Sequence, residues 1–241
     1  MSFSELSSAN PLASDALVVL SDVTKHFGRF AALRSVTASF AAARLYAVLG
    51  DNGAGKSTLL RIIAGLTPPT RGQVTLLGSP HLASVREHMG LMEHAPLLYD
   101  ELDGMENLRY FAGLYGIEDE RVCEQAMRTV GLDPALKRRV GQYSQGMRQR
   151  LSLARAVLHE PELLLLDEPF SNVDIRSARE MVGLLGQMRD CGRTIFVVTH
   201  QPSLLEGAAD EFIWMNAGRI VDRTTELNPA IAQPVAQRVV G

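Results

Sequence analysis

Short, uninterrupted apolar runs recur along this sequence and are separated by stretches with helical periodicity. Runs of four or five apolar or β-branched residues, bounded by turn-forming residues, are typical of strands that are buried on both faces of a sheet. They occupy residues 45–49, 163–166, 194–198 and 212–215. Because helices must cover both faces of such a sheet, the pattern predicts an α/β fold around a parallel sheet.

A second group of strands is predicted around the first apolar run. Residues 17–20 form a strand that leads through residues 21–28 into a turn, and residues 32–40 alternate sufficiently for a further strand. These segments predict a small antiparallel β layer beside the main sheet. Residues 73–77 and 219–221 are predicted as additional strands.

Helical periodicity prevails from about Glu87 to His159. This block lies between the first and second apolar runs, so it is the natural candidate for an inserted helical subdomain, at approximately residues 86–158. Helices are predicted over residues 59–65, 106–115, 118–130, 146–158 and 175–190, and between residues 200 and 212.

Length and composition limit the remaining possibilities. The 241 residues can bury a sizeable core, and one domain with an inserted subdomain is as plausible as two domains. The net charge of −3 gives no electrostatic footprint for nucleic acid, so no partner of that class is expected. No apolar stretch approaches the roughly 20 residues that cross a bilayer, and the N-terminus lacks the features of a secretion signal. We expect residues 1–15 to be a flexible leader and residues 225–241 to be a loosely held tail.

The two cysteines, Cys123 and Cys191, stand alone in the sequence. Their spacing is unlike that of a metal site, so we interpret them as small apolar filler. Unpaired cysteines of this kind indicate a reduced, cytosolic setting.

The most informative segment directly follows the first apolar run. It fits G-x-x-x-x-G-K-[ST], the pattern of a phosphate-binding loop, and lies between a predicted strand and a predicted helix. Its glycines allow backbone conformations in which several N–H groups point at phosphate oxygens, and the helix dipole adds positive potential. Lys56 would reach the β- and γ-phosphates, and the Ser57 hydroxyl would ligate Mg²⁺. The predicted nucleotide-binding residues are Gly50, Asp51, Asn52, Gly53, Ala54, Gly55, Lys56, Ser57 and Thr58.

Two carboxylates, Asp167 and Glu168, end the apolar run at residues 163–166. In phosphate-loop enzymes a carboxylate at a neighbouring strand end supports Mg²⁺, and a second can polarise the attacking water as a general base. Phe27, just before a glycine, offers an aromatic face that could stack on a nucleotide base. From periodicity alone, packing of Phe27 or Phe30 in the core is equally plausible.

A further segment carries a family resemblance. Residues 143–156, YSQGMRQRLSLARA, resemble the signature segment of ABC ATPases and begin about twenty residues ahead of residues 163–169, LLLLDEP. The parts also follow that family's order: phosphate loop, helical insert, signature, Asp-Glu strand, an Asp-containing loop at residues 171–174, and the strand-end His200. The resemblance covers roughly residues 17–222.

The resemblance implies a fold and a set of roles. The fold would be an ABC ATPase domain over residues 16–224, with a phosphate-loop (RecA-like) parallel-sheet core, an antiparallel β layer and an inserted α-helical subdomain. The cofactors would be ATP and Mg²⁺. Phe27 would stack on adenine, Asp167 would support the metal, and Glu168 would be the catalytic base. His200 resembles the switch histidine that contacts the γ-phosphate.

The signature segment implies that two chains build each site. Ser144 and Gly146 would bind the γ-phosphate of the nucleotide held by a second ATPase subunit, and a helix starting there would aim its positive dipole end at that anion. Dimerisation on ATP is therefore expected, with a homodimer as the first expectation and a dimer with a different ATPase as the alternative. Tyr143, Gln145 and Met147 depart from the family's usual Leu-Ser-Gly-Gly-Gln. The two residues nearest to phosphate remain, so we expect function to survive.

His94 stands where the family normally has Gln, which meets Mg²⁺ and the attacking water and senses the membrane partner. An imidazole nitrogen can coordinate a metal or orient water only when it is unprotonated. The hypothesis is that His94 takes the Gln role and makes activity fall at mildly acidic pH. In the alternative, Glu93 or a main-chain group takes that role and His94 is a bystander.

Residues 97–116 are similar to the helical-subdomain entry of exporter-type ABC ATPases, most of all the ATPase of the haem exporter of cytochrome c maturation. This resemblance implies an integral-membrane permease as partner, export as the direction, and a peripheral place at the cytoplasmic face of the membrane. The alternative is a soluble ABC ATPase acting on DNA or ribosomes, which predicts coiled-coil insertions, zinc modules or paired cassettes that this sequence lacks. A phosphate-loop kinase would leave the signature segment unexplained.

Overall fold

Nine strands form two sheets in the computed structural model, which describes residues 16–227. In chain order the strands are β1 Ala16–Phe27, β2 Phe30–Ala41, β3 Leu45–Leu49, β4 Arg71–Leu76, β5 Met89–Met92, β6 Leu163–Asp167, β7 Thr194–Val198, β8 Glu211–Asn216 and β9 Arg219–Thr224. The larger sheet has the order β5-β6-β7-β3-β8-β9, in which only β9 is antiparallel to its neighbour. The smaller sheet, β2-β1-β4, is antiparallel throughout. The predicted parallel core and antiparallel layer are confirmed.

The central strands are apolar because they separate two cores. Every residue of β3, β6 and β7 is buried. Successive side chains of a strand point to opposite faces. In β3, accordingly, Ala47 packs into the core beneath the helical block, whereas Tyr46 and Val48 pack into the core beside the antiparallel sheet. In the second core Tyr46 stacks on Phe196 with ring centres 4.8 Å apart.

Residues 16–227 contain five α-helices, of which three pack on the larger sheet and two pack on each other and on a third helix. The five helices are α1 Lys56–Ile63, α2 Gly104–Leu114, α3 Glu120–Thr129, α4 Gln145–Val157 and α5 Ile175–Asp190. Four of them, all except α1, begin with the usual capping chemistry, in which a side-chain oxygen accepts an otherwise unpaired backbone N–H. Asp103 and Glu106 form a reciprocal capping box at α2, and Asp174 caps α5 by accepting the Ser177 N–H at 3.0 Å. Within residues 16–227, no helix is long and apolar enough to cross a membrane.

Two local predictions require correction. Residues 89–92, which the helical periodicity included in the inserted block, form β5 and pair in parallel with β6. The helix expected between residues 200 and 212 is only a short 3-10 helix, Pro202–Leu204. The predicted leader, residues 1–15, and residues 228–241 of the predicted tail lie outside the described range.

Candidate functional site

The carboxyl ends of the parallel strands place the predicted site residues around one cavity. Because β3, β5, β6 and β7 run in the same direction, the loops that follow them meet at one edge of the sheet. A cavity of about 620 Å³ opens at that edge. Its wall includes residues 52–58 of the phosphate loop together with His94, Asp167, Glu168 and His200. Four chain segments far apart in sequence thus meet at one cleft.

The phosphate loop depends on glycine at two positions. Gly50 has φ 142° and Gly55 has φ 102°, in the region that L-residues rarely adopt. A Cβ at Gly50 would lie 2.2 Å from the Met215 carbonyl oxygen, and one at Gly55 would lie 2.5 Å from the Ala32 carbonyl oxygen. The loop therefore packs directly on neighbouring backbone, which leaves no room for side chains and fixes the direction of its N–H groups.

Lys56 is buried at the centre of this loop, with 7% of its surface exposed. Its Nζ donates to the carbonyl oxygens of Gly50 at 2.7 Å and Asp51 at 3.0 Å. Burial lowers the pKa of Lys56, while the carboxylates of Glu168, Asp167 and Asp51 act in the opposite direction. The first turn of α1 has no side-chain cap, so its N–H groups are available to an anion. An ammonium and a helix N-terminus therefore meet where a phosphate chain would lie.

Asp167 is the last residue of β6 and is buried. Its Oδ1 has no hydrogen-bond partner among the described residues, so this buried oxygen is available to a bound ligand. Ser57 lines the same cavity. Within residues 16–227 no group of three or more His, Cys, Asp or Glu side chains could hold a metal by itself. Mg²⁺ usually binds through one or two protein oxygens plus substrate phosphates, so this donor set fits Mg²⁺ carried with a nucleotide.

Glu168 and His200 face each other across the ends of β6 and β7. Glu168 Oε1 lies 3.3 Å from His200 Nε2, and Oε2 accepts the His200 backbone N–H at 3.3 Å. Burial raises the pKa of Glu168, and Asp167 adds to this rise, while His200 and Lys56 oppose it. A carboxylate with a raised pKa, in a cleft, is suited to accept a proton from water.

His94 and Glu93 point to different places. His94 is exposed and lines the cavity. Glu93 is not part of the wall, and its Oε1 accepts hydrogen bonds from Arg61 Nε and lies near Arg61 Nη2, both at 2.9 Å. Of the two side chains considered from the sequence for the Gln role, the geometry favours His94.

Two aromatic residues flank the cleft at the β1–β2 turn. Phe27 and Phe30 are cross-strand partners and are 53% and 59% exposed, so neither packs in the core. Phe30 lines the cavity, whereas Phe27 lies outside its wall, with the Lys25 Nζ 5.0 Å from its ring centre. The sequence favoured Phe27 as the base-stacking residue and missed the position of Phe30. A two-residue turn between two aromatic residues is the signal that could have suggested both.

Three polar residues of the cavity wall were not predicted as site residues: Ser171, Asn172 and Gln201. Ser171 and Asn172 belong to the Asp-containing loop after Glu168, and Gln201 follows His200. Gln201 adjoins His200, and the loop at residues 171–174 was itself noted in the sequence, so these were the available signals.

The signature segment lies apart from this cavity. Ser144 caps α4, with its Oγ accepting the Met147 N–H at 3.2 Å. A Cβ at Gly146 would lie 3.6 Å from Ser177 Oγ of α5, an ordinary contact. Neither Ser144 nor Gly146 lines the cleft that holds Lys56 and Glu168. The two predicted halves of the site therefore occupy different parts of one chain.

Comparisons with known proteins agree on one protein family. The ABC transporter family matches residues 33–171. The chain is 31% identical over 218 residues to the ABC transporter ATP-binding protein NatA of Bacillus subtilis, covering 86% of this chain and 89% of that protein. It is 33% identical to the bacitracin transport ATP-binding protein BcrA of Bacillus licheniformis, covering 86% of this chain and 69% of that protein.

Solved structures agree with this result. An ATP-binding subunit of an ABC transporter matches with a TM-score of 0.77 and 29% identity, covering 87% of this chain and 90% of the other. A dimeric ATP-binding cassette in a post-hydrolysis state with ADP and Pi shares the fold, with a TM-score of 0.78 and 24% identity, over 88% of this chain and 99% of the other. With its phosphate loop, Asp-Glu strand end and signature helix in that family's order, this chain belongs to the ABC transporter family as an ATP-binding domain.

Proposed function

We propose that this chain hydrolyses ATP as the ATPase subunit of an ABC exporter, closing on ATP as a dimer to drive a separate membrane permease. The observation that carries the proposal is the single cleft in which the phosphate loop, Asp167, Glu168 and His200 meet. Phosphoryl transfer to water requires positioning of the phosphates and stabilisation of the charge that develops on them. The phosphate loop can position the phosphates, and the charged side chains that line the same cleft can stabilise the developing charge.

Each residue of the cleft has a proposed part in hydrolysis. The loop N–H groups and Lys56 hold the β- and γ-phosphates, and Glu168 accepts the proton of the attacking water. His200, beside Glu168, contacts the γ-phosphate. Ser57 and Asp167, with His94 beside them, would hold Mg²⁺, which would supply charge neutralisation at the phosphate oxygens.

A second copy of the chain completes each site in this proposal. Ser144 and Gly146 lie outside the cavity of their own chain and begin α4, whose N-terminal dipole favours an anion. They would contact the γ-phosphate held by the opposite subunit. In this arrangement bound ATP holds the two subunits together, and its hydrolysis releases them.

The permease is proposed to dock on the helical block beside His94. Exposed aromatic and aliphatic side chains gather there, including Tyr99, Tyr110 and Leu114, and Tyr99 contacts Tyr110 with ring centres 4.9 Å apart. Exposed apolar patches of this kind mark interaction sites. The chain would then work peripherally, at the cytoplasmic face of the membrane.

Export is the proposed direction of transport. The identity of the transported cargo is a separate proposal. Relatives are named for bacitracin transport and, in Mycobacterium tuberculosis, for fluoroquinolone export at 36% identity. Haem, as in cytochrome c maturation, is one candidate cargo, and it rests on the similarity of residues 97–116, on His94 and on residues 144–147. A soluble ATPase acting on DNA or ribosomes is disfavoured because the relatives are named as transporter subunits.

The test is purification of tagged Glu168→Gln protein from membranes in the presence of ATP. This substitution removes the proposed base and is expected to hold the ATP-bound dimer together, so a permease should be recovered with it. The matched control is the Lys56→Ala variant, which should recover less permease because it binds phosphate poorly. Recovery of an integral membrane protein supports the proposal, and its identity narrows the cargo. Recovery of only DNA- or ribosome-associated proteins would overturn the transport function.

A further inference from the structure

We propose that Glu93 is a positioning residue, which Arg61 holds in place so that the adjacent His94 keeps its position in the nucleotide cleft. The inference rests on the proposed ATPase function. It adds a role for two residues that lie outside the cavity wall. We refer to the ion pair between them as the Arg61–Glu93 clamp.

The clamp joins the helix of the phosphate loop to the segment that carries His94. Arg61 lies in the last turn of α1, the eight-residue helix that begins with Lys56. Glu93 directly follows β5 and precedes His94. Two guanidinium nitrogens, Nε and Nη2, approach the same Glu93 oxygen at 2.9 Å. A two-nitrogen contact of an arginine restricts direction as well as distance.

The geometry of neighbouring residues explains why fixing Glu93 would fix His94. Glu93 directly follows β5, and the chain bends at His94. Glu93 faces α1, and His94 faces the cleft. A side chain tethered on one side of the backbone therefore limits rotation of its neighbour on the other side.

A second arginine holds the same strand end from another helix. Arg155 of α4 donates from Nη2 to the Leu91 carbonyl oxygen at 3.1 Å, and its guanidinium carbon lies 5.2 Å from the Phe111 ring centre. Burial lowers the pKa of Arg155, while Tyr115 and Glu93 act in the opposite direction. The end of β5 is thus held by the helix of the phosphate loop and by the helix that begins at the signature segment.

The exposure of Arg61 and Glu93 indicates that their ion pair affects the position of His94 more than the stability of the fold. Arg61 is 55% exposed and Glu93 is 22% exposed. Ion pairs this close to solvent contribute little to folding. Loss of the clamp should therefore leave the melting temperature nearly unchanged and affect the reaction instead.

The experiment compares ATPase kinetics of wild type, Glu93→Gln, Arg61→Ala and Arg61→Lys. We expect Glu93→Gln and Arg61→Ala to lower kcat about tenfold with KM for ATP within about twofold, since a misplacement of ~1 Å can cost about a hundredfold. Arg61→Lys keeps the charge and should recover part of the rate. The matched control is Arg128→Ala, which breaks the exposed Arg128–Glu124 pair of α3, neither residue of which lines the cleft.

A second readout does not depend on turnover. The NMR signals of the His94 ring, assigned by their loss in His94→Gln, should shift in Glu93→Gln and Arg61→Ala but not in Arg128→Ala. Unchanged ring signals and an unchanged kcat in Glu93→Gln, with an active wild type, would overturn the clamp alone. A wild-type protein that binds ATP with Mg²⁺ but never hydrolyses it would instead overturn the proposed function.

Discussion

The carboxylate of Glu168 meets both the ring and the backbone of His200, with Oε1 3.3 Å from Nε2 and Oε2 accepting the backbone N–H at 3.3 Å. The residue that would take a proton is therefore held by the residue that would contact the γ-phosphate. Glu168 itself has φ 55°, and its N–H donates to the Val198 carbonyl oxygen at 2.9 Å. A non-glycine residue in this conformation persists when its surroundings fix it, and such residues gather at functional sites.

Replacing Glu168 by Gln should lower kcat by at least about a hundredfold, the usual contribution of a general base. Because burial raises the pKa of Glu168, the wild-type rate should fall as the pH drops through a value above the ~4.3 of an ordinary glutamate. His200 opposes that rise. His200→Ala should therefore move the acid limb to still higher pH. An acid limb that stays in place in His200→Ala would contradict the electrostatic link between the two residues.

The nucleotide base should depend on Phe30 at least as much as on Phe27, because Phe30 lines the cavity and Phe27 does not. Loss of one base–aromatic contact costs about 1–3 kcal/mol, so Phe30→Ala should raise KM for ATP about fivefold or more with little change in kcat. Phe27→Ala is the matched control, since both rings are similarly exposed. A KM that rises only in Phe27→Ala would restore the assignment made from the sequence.

The pH profile of His94→Gln tests whether the histidine acts in the reaction. We expect the wild-type rate to fall more steeply than that of His94→Gln as the pH is lowered from roughly 7.5 to 5.5. The reason is that a protonated imidazole can neither coordinate Mg²⁺ nor orient water. Profiles of kcat that coincide over this range would make His94 a bystander.

Mixing two inactive variants tests whether sites are shared between chains. Lys56→Ala damages the loop side of the site, and Gly146→Asp damages the signature side, where a Cβ fits without a clash. In a mixed dimer one site carries both defects and the other carries none, so mixing should restore part of the ATPase rate. The control is the double variant mixed with either single variant, which has no intact site and should stay inactive. Failure of the first mixture to recover activity would contradict a shared site.

The phosphate loop, Asp167 and Glu168 could be predicted from the sequence because each belongs to a local pattern of strand, turn and helix. β5 could not, since its four residues include Gly90 and lie within a region of helical periodicity. A Cβ at Gly90 would lie 2.1 Å from the Ala156 carbonyl oxygen of α4. Gly90 therefore allows β5 to approach α4 closely, and the α4 residues concerned lie more than sixty positions away in the sequence.

The aromatic residues at the β1–β2 turn illustrate the same limit. Phe27 and Phe30 are three positions apart, and periodicity could not tell whether either was buried. Their exposure follows from the turn that Gly28 allows, with φ 58°, and from the orientation of the hairpin towards the loop after β3. Local sequence gives the turn, but only the packing of two sheets decides which ring reaches the cleft.

If Ser144 completes the site of a second subunit, as proposed, its position outside its own chain's cavity makes protein concentration a variable of the reaction. If the proposed dimer forms only on ATP, turnover in dilute solution follows the square of the subunit concentration, by mass action. A permease that holds two subunits side by side replaces that bulk value with a high effective concentration, commonly in the millimolar range for short tethers. Binding to the membrane partner would then accelerate hydrolysis by proximity alone, before any change of conformation is transmitted.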